Sequence, residues 1–535
     1  MTPRRIFLLI IIGIIGFGLL TGPRHQQMLV QCHDSPGVPF LEVLVSKSGF
    51  KESTSSLAIC NRFGSTTNRA PTIPKTTKHS YTQASESSVQ GLKDNFVAHA
   101  PITIQNNTDF LTQASNEGWS GTGIATDPII ITGYSITSLT SILLEISYTT
   151  LHFEVRNNVF NGVNRTYDAI HLKNVKNGVI ANNTVYYSKN AIYFFADTRM
   201  TYTTIANNTI ESNQVGIYLY SADIDLFGNK LIDNLEAGIF LGWVFASSIK
   251  DNVLVNNGLD ATYIHDSQVS NNSVNGKPLV YWQNINGGTI PNGAGQVVLV
   301  NCNTVTVSNQ VLTNASVGII AFSCSNLNIS SNILANNSKY GILAGGSTSS
   351  TVITNNTFLN NKYAGIRVAD GKGTIENNIL RNNGFGIRMH SPRFFIISNN
   401  SLINNHVGIC SSKAYIGDDG FLDITTNIIA NNSWGIYLTN PYLYISMEFT
   451  IRNNTIANNT VNGIKLSNSN SNLIWGNTLI ENTQYGIILD RASAGNRILW
   501  NTFINNHGNG SSQAYDGGNT NTFSYNYWSE WVSPD

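Results

Sequence analysis

The sequence predicts an all-β, single-stranded parallel β-helix solenoid of about sixteen coils, each of about 20–27 residues and each built from three short strands. Three observations predict it. An Asn-Asn pair recurs about every two dozen residues, at Asn157-Asn158, Asn182-Asn183, Asn207-Asn208, Asn271-Asn272, Asn355-Asn356, Asn377-Asn378, Asn399-Asn400 and Asn453-Asn454. Single-Asn versions of the same position fall at Asn229, Asn252, Asn309, Asn332, Asn427, Asn477, Asn501 and Asn526. Each unit also carries strand-like stretches such as Gly216-Ile217-Tyr218-Leu219, Gly341-Ile342-Leu343 and Gly435-Ile436-Tyr437-Leu438, with one further strand before the anchor and one after it. Finally, the units hold no apolar pattern of helical period, which excludes helical repeats, and they are too short for four-stranded propeller blades.

The elements follow in chain order. Residues 1–22 read as a signal peptide or a short membrane anchor, because Arg4 and Arg5 precede an apolar run at 6–20 that is short for a bilayer span. Residues 23–100 are rich in Ser, Thr, Lys and Pro, too polar to offset the entropy of ordering, and read as a linker. Cys32 and Cys60 are candidates to pair there, whereas Cys302, Cys324 and Cys410 fall in the repeat and are expected to be buried. Residues 101–140 lack the regular pattern and are placed to cap the first exposed end of the core.

Residues 141–515 are the solenoid proper. Anchors at 158, 183, 208, 229, 252 and 272 are separated by 25, 25, 21, 23 and 20 residues, and a 37-residue gap then leads to 309. Stacked at about 4.8 Å per coil, sixteen coils would make a rod on the order of 75 Å long. Ile and Leu are expected to form inward columns, and the Asn anchor to sit at a tight corner where it tolerates left-handed φ and bonds its stacked neighbours. The glycine before each Ile-x-Leu strand is expected to turn a corner. The excursion at 273–300 contains Pro278 and Pro291, which suit its flanks. Its Tyr281 and Trp282 would form either a platform outside the solenoid or a seal on a bend. Residues 516–535 hold Tyr525, Tyr527, Trp528 and Trp531, enough aromatic surface to cap the far end.

Composition narrows the partners. Charged residues are 12% and the formal net charge is zero, which argues against nucleic acid, whose backbone needs concentrated Lys and Arg. An uncharged polar surface suits polysaccharides or surface glycans. Sequons at Asn182, Asn207, Asn271 and Asn355 fit an exported glycoprotein, although an Asn-rich repeat produces them readily. Membrane attachment, if any, runs through the N-terminal apolar segment alone.

Candidate site residues are those that break the Asn/Ser/Ile monotony. Asp370, His390, Asp418 and Asp419 are catalytic candidates, because two carboxylates on one groove could serve as acid and base on a glycosidic bond. The same oxygens are alternative Ca²⁺ ligands. Asp168 and His171 flank Ala169-Ile170, and Asp423 lies in the enlarged coil after Asn400. Tyr281, Trp282 and Trp243 are ligand-binding candidates, joined by Tyr187, Tyr193, Phe194, Phe195, Tyr202, Tyr218 and Tyr220, whose outward members would stack on pyranose faces. No transition-metal site is predicted, since the ten His and five Met are scattered.

The repeats Asn207-Asn208-Thr209-Ile210 and Gly216-Ile217-Tyr218-Leu219, the Asn275-Gly276-Lys277-Pro278 excursion followed by Val298-Leu299-Val300-Asn301-Cys302, and the closing Asn526-Tyr527-Trp528 resemble the NosD-like, periplasmic copper-binding class of right-handed parallel β-helix proteins. The resemblance covers about residues 100–535. It implies right-handedness, export, an archaeal secreted or surface type, and, by the family's name, a role in copper-enzyme maturation, although no metal-ligand column accompanies it. Polygalacturonase-like enzymes would show Asn-Thr-Asp, Asp-Asp, Gly-His-Gly and Arg-x-Lys on successive coils. Asn107-Thr108-Asp109 and Asp418-Asp419 match the first two, but some three hundred residues apart. The expected function is therefore an exported, non-catalytic β-helix that binds carbohydrate or another surface partner. The alternatives are a polysaccharide hydrolase or lyase and an accessory protein for copper enzymes.

Overall fold

The computed structural model describes residues 96–530, apart from 198–201, 222, 262–263, 413–420, 440–447 and 507–511. The N-terminal apolar run, the linker as far as residue 95, Cys32 and Cys60 lie outside the described residues, whereas Val97–His99, expected to be linker, forms a strand paired in parallel with Tyr134–Thr137. The chain winds as a right-handed parallel β-helix of about sixteen turns. Three strands per coil give each coil three faces. In the first half these contain, for example, Val215–Tyr220, Ile224–Phe227 and Lys230–Ile232, each paired in parallel with the equivalent strand of the next coil.

Side-chain alternation on these strands separates core from surface. In Val215–Tyr220, Ile217 and Leu219 are fully buried while Tyr218 and Tyr220 point outward. Stacking repeats the choice in each coil, so branched aliphatic side chains fill the interior in continuous columns.

The two residues of the Asn pair do different work. The first, as in Asn355, is exposed in the left-handed region at φ 57, with Asn377 at φ 55 and Asn399 at φ 55. The second is buried and forms a ladder. Asn356 Nδ2 donates to Ile329 O (2.8 Å), Thr354 O (3.0 Å) and Asn378 Oδ1 (3.1 Å). Its Oδ1 accepts from the backbone and side-chain nitrogens of Asn332, both at 2.9 Å. A buried amide is tolerated here because every donor and acceptor is used.

Sequence reasoning missed a second ladder five residues further on, through Asn337, Asn361, Asn383, Asn405 and Asn432. One anchor is also displaced by a residue: Asn309 takes the left-handed first position, and Gln310 enters the ladder, its Oε1 accepting from the Ala294 N–H at 3.2 Å and its backbone N–H donating to Asn332 Oδ1 at 2.9 Å.

The glycines before Ile-x-Leu lie inside strands and do not turn corners. A Cβ on Gly408 would stand 2.5 Å from Gly435 O, and one on Gly386 would stand 2.6 Å from Gly408 O. They form a column because the backbones of successive coils leave no room for a methyl group.

Residues 101–140 supply the strands Ile102–Ile104, Ile129–Thr132 and Tyr134–Thr137, all paired in parallel with the coil that follows. Between the first two sits a helix, Asn107–Glu117, which the sequence reading did not anticipate. Asn106 caps it by accepting from the Asp109 N–H at 2.9 Å, and Asp109 accepts from the Gln105 N–H at 2.8 Å, close to a capping box. Phe110 is buried against Phe153, so the helix closes the end of the core. At the far end Trp528 stacks on Phe503, with centroids 4.2 Å apart.

The expectation of one uninterrupted rod fails at the excursion. Ser273–Val274 turns through Asn275 (φ 53) and Gly276 (φ 73) into Lys277–Gln283, which pairs antiparallel with it, as a two-residue Asn-Gly loop favours. Lys277–Gln283 then pairs in parallel with Gln296–Val300 and begins a second segment. Gln296–Val300 is buried on both faces. Val297 and Leu299 fill the core of their own segment, whereas Val298 and Val300 join the core cluster of the first. Ile320 and Leu343 do the same in the next two coils. The outer face of the second segment therefore packs against the end of the first, and among the described residues the two solenoid cores meet at an elbow.

Candidate functional site

The registers define an outward column on the first segment: Glu145, His171, Tyr193, Tyr218, Phe240 and Asp260, one residue per coil. The x of each Gly-Ile-x-Leu or equivalent strand supplies it, so strand alternation alone sends these side chains outward. His171 stacks on Tyr193 (4.5 Å, 25°), Tyr193 on Tyr218 (5.2 Å, 20°), and Tyr218 on Phe240 (4.5 Å, 21°). The rings cover one another's faces and present their edges and phenol tips to solvent. A shorter second column stacks Phe195 on Tyr220, while Phe194 points into the core.

At its start, Asp168 fixes the histidine. Asp168 Oδ2 lies 2.9 Å from His171 Nδ1, and Oδ1 accepts from the Asn190 side chain at 2.7 Å. A carboxylate can only accept here, so Nδ1 carries the proton and Nε2 is left as the outward nitrogen.

At its end the column meets the second segment. Lys339 Nζ lies 2.7 Å from Asp260 Oδ2 and 4.0 Å from Glu236 Oε2, and sits 5.4 Å over the Phe240 ring. Glu236 Oε1 also accepts from Tyr363 Oη at 3.3 Å and from Gln214 Nε2 at 3.0 Å. Arg367 donates to Tyr340 Oη at 3.2 Å while lying over that ring. Ser316 Oγ and Gly258, and the Gln296 amide and Leu259, close the same seam.

Burial opposes charge on Lys339, yet the Asp260 charge and hydrogen bond, with Glu236, outweigh it and hold the ammonium above its ordinary value. Burial pushes the Tyr218 phenol up to about 12, helped by Tyr193, and raises Tyr193, helped by the Asp168 charge. The cations and anions of the elbow thus neutralise one another, and its phenols are held protonated as hydrogen-bond groups.

The predicted residues distribute as follows. Asp370 sits at a left-handed corner (φ 54), half-buried, and its carboxyl is raised by burial against the opposing pull of His390 and Arg393. The register pairs Ala369 with His390, so Asp370 and His390 belong to adjacent coils, and His390 Nδ1 is 3.3 Å from Ser412 Oγ. Asp418 and Asp419 lie outside the described residues. Asp423 is buried in a two-point pair with Arg452, at 2.7 and 3.1 Å. Asn107-Thr108-Asp109 opens the capping helix and has a structural task there.

Tyr281 and Trp282 are neighbours on one strand and face opposite ways. Tyr281 packs on the core of the first segment and Trp282 on that of the second, so both seal the elbow and form no platform. Trp243 stands 49% exposed at a left-handed corner (φ 57). Beside the seam, Ile264, Asp266, Gln283, Asn301, Phe322 and Ser323 line a cleft of about 410 Å³.

Glu236, Asp260, Lys339, Tyr340, Tyr363 and Arg367 were not singled out by sequence. Reading the x position down the repeats, Tyr193, Tyr218 and Phe240, would have exposed the column; the seam partners are 79 to 127 residues apart, as in Lys339–Asp260 and Tyr363–Glu236, and no local signal joins them.

Fold and site together define a right-handed parallel β-helix repeat protein with an aromatic outer stripe, and the right-handed β-helix region matches residues 142–303. More particularly, the chain belongs to the family described as periplasmic copper-binding protein (NosD), which matches residues 250–407 and 372–532. The family's name points to copper, and a copper centre needs several imidazole or sulfur donors converging on one point. Among the described residues no three or more His, Cys, Asp or Glu are grouped to hold a metal ion. The soft donors that do meet, Cys302 and Cys324, are buried, and their sulfurs sit against backbone carbonyls of Trp282 (3.3 Å) and Leu299 (3.5 Å). These residues do not fit a copper centre, and no chemistry is derived through one.

No curated protein matches the chain. Among solved structures it is similar to the A-module of Azotobacter vinelandii mannuronan C-5 epimerase AlgE4, at 13% identity over 81% of this chain and 95% of that one, TM-score 0.32. The periplasmic alginate epimerase AlgG shares 11% identity over 79% and 84%, TM-score 0.28. The Dettilon tailspike protein shares 12% over 76% and 63%, TM-score 0.22.

Proposed function

We propose that this is an exported β-helix protein that binds a neutral glycan along the His171–Tyr193–Tyr218 stripe leading into the elbow, without acting on it. The observation that carries the reading is the stripe itself, one polar-tipped ring per coil at the coil repeat. A site that repeats along an axis suits a polymer that also repeats. Its internally paired charges suit a ligand without charge. Export is supported by the charged and apolar N-terminal residues and by the periplasmic description of the family. Among the described residues no helix is long and apolar enough to cross a membrane.

A second reading, a polysaccharide hydrolase or lyase, is favoured by the Asp168–His171 dyad, which is built like an oriented base.

The test is the full chain on a panel of immobilised neutral oligosaccharides, with Tyr218→Ala and His171→Ala alongside. The binding reading expects a signal that Tyr218→Ala weakens about tenfold, as loss of about 1.4 kcal/mol gives. No glycan signal from the wild type rejects it. Shortened products from that panel, or unsaturated products from a uronate-containing oligosaccharide added to it, that vanish in His171→Ala establish the catalytic reading instead.

A further inference from the structure

The exposed left-handed corner before each ladder residue is occupied down the last coils by Asn399, Thr426, Asn453, Gly476, Trp500 and Tyr525, with φ between 54 and 66 for the first four. Asn and Gly adopt this conformation readily, whereas bulky side chains do so rarely and under strain. Yet Trp500 has φ 56 and Tyr525 φ 57. The two rings stack at 4.6 Å and 12°, and remain 62% and 73% exposed.

Capping does not account for them, because Phe503 and Trp528 close the core at this end and the corner pair covers none of it. Nor does the winding of the coil require them, since each corner N–H makes the same bond to the next coil, Gly476 to Leu499 O at 3.2 Å and Trp500 to Ser524 O at 3.2 Å. An Asn at either position would serve the fold equally. Strain kept where the fold does not need it points to a function.

The ring faces differ from those of the elbow stripe. Gly476 has no side chain to lie on Trp500, and Asn453 Oδ1 stands 2.6 Å from where a Gly476 Cβ would be. The far face of Tyr525 carries no ring among the described residues. Tyr527, 60% exposed, follows at the end of the outward column Thr455, Thr478, Thr502. We propose that Trp500 and Tyr525 form a carbohydrate-binding platform at the C-terminal end of the solenoid, separate from the elbow, that takes a neutral pyranose by its C–H face. The occupant is a sugar because the pair offers free flat faces within an uncharged corner column of Asn, Thr and Gly, able to hydrogen-bond the equatorial hydroxyls around a stacked ring.

The experiment compares the full chain with Trp500→Asn/Tyr525→Asn, which restores the residue used at other corners, by affinity electrophoresis in gels containing β-glucan, mannan or galactan, and by thermal melting. The expected result is retardation of the wild type by at least one polysaccharide; with Tyr218→Ala in both proteins to weaken the elbow stripe, adding the double substitution reduces retardation at least tenfold, and the double variant melts at or above the wild-type temperature. Tyr218→Ala keeps this retardation, which separates the platform from the elbow stripe. Retardation left unchanged when the double substitution is added to Tyr218→Ala, or none of the wild type, overturns the proposal. So does a marked fall in melting temperature, which would make the pair structural, and so does loss of a dimer by sedimentation in place of loss of sugar binding, which would make it a contact between copies.

Discussion

Asn355 and Asn356 are chemically identical neighbours, and substitution should separate them sharply. Replacing Asn356 by Leu removes the acceptor of the Asn332 backbone N–H (2.9 Å) and of its side-chain amide (2.9 Å), together with the donor to Ile329 O, Thr354 O and Asn378 Oδ1. The Asn332 amide still reaches Val307 O at 2.9 Å, and Asn378 Oδ1 still accepts from the Asn356 backbone, so those groups lose only part of their bonding. The buried Asn332 backbone N–H loses its partner outright. An orphaned buried group costs about 1–3 kcal/mol, and the remaining lost bonds about 1 kcal/mol between them, so the expected cost is about 3 kcal/mol. Asn355→Gly should cost nearly nothing, because Gly228 and Gly476 already hold the equivalent corner at φ 67 and φ 66. Urea denaturation gives the two free energies, and amide hydrogen exchange at Asn332 reports the orphaned group directly. Equal effects at 355 and 356, or unchanged protection at Asn332 in Asn356→Leu, would refute the division of labour within the pair.

Two further outcomes follow from packing and charge. Gly408→Ala places a methyl 2.5 Å from Gly435 O and 2.8 Å from Ile429 Cγ2, so the coils must part; about 2–3 kcal/mol of stability is expected to be lost in the same denaturation assay, against almost none for Ala at the open Gly118 or Gly133 beyond their φ strain. Lys339→Met leaves Asp260 buried without its cation and should cost about 3–5 kcal/mol at neutral pH. Because the folded-state value of Lys339 is raised, its contribution is complete below the ordinary lysine value of 10.5 and is lost as pH rises through the higher folded value. The stability gap between wild type and Lys339→Met, measured by denaturation from pH 7 upward, should therefore be constant to about pH 10 and close above it; a gap that narrows already between about pH 7 and about pH 9 would contradict the assignment.

Periodicity made the coil legible. The Asn anchor, the Ile columns, three strands per coil and the aromatic residues at the C-terminal end are all one-dimensional signals, since stacking places like residues over like. What stayed hidden is what stacking does not repeat. The glycine column was misread because sequence shows a missing side chain but not whether a turn or a neighbouring backbone demands it; only the Gly435 carbonyl over Gly408 decides. The elbow was hidden although Asn275-Gly276 is a strong hairpin signal, because its length matched one coil with a protruding turn. Likewise Lys339, Asp260 and Glu236 meet across a seam between coils far apart in the chain, and their isolated positions carry no pattern.

The regular columns also restrict where function can reside. Inward positions are filled by Ile and Leu, two corners by satisfied Asn, and the glycine positions by opposing backbone, so a binding residue can enter only at an outward x position or an exposed corner. The elbow stripe uses the first kind of vacancy and the Trp500–Tyr525 pair the second. They differ in what they offer, because outward strand residues in register must stack on each other, hiding their faces and showing their edges, while a corner beside a glycine leaves a face open. The stripe can therefore grip a ligand by hydrogen bonds along its length, and the corner pair by contact with a ring. If both bind the same polymer, the stripe should favour long chains and the corner pair should hold even a short oligosaccharide. Inhibition of polysaccharide binding by free oligosaccharides of increasing length distinguishes them: short ones should compete in Tyr218→Ala, and only long ones in Trp500→Asn/Tyr525→Asn.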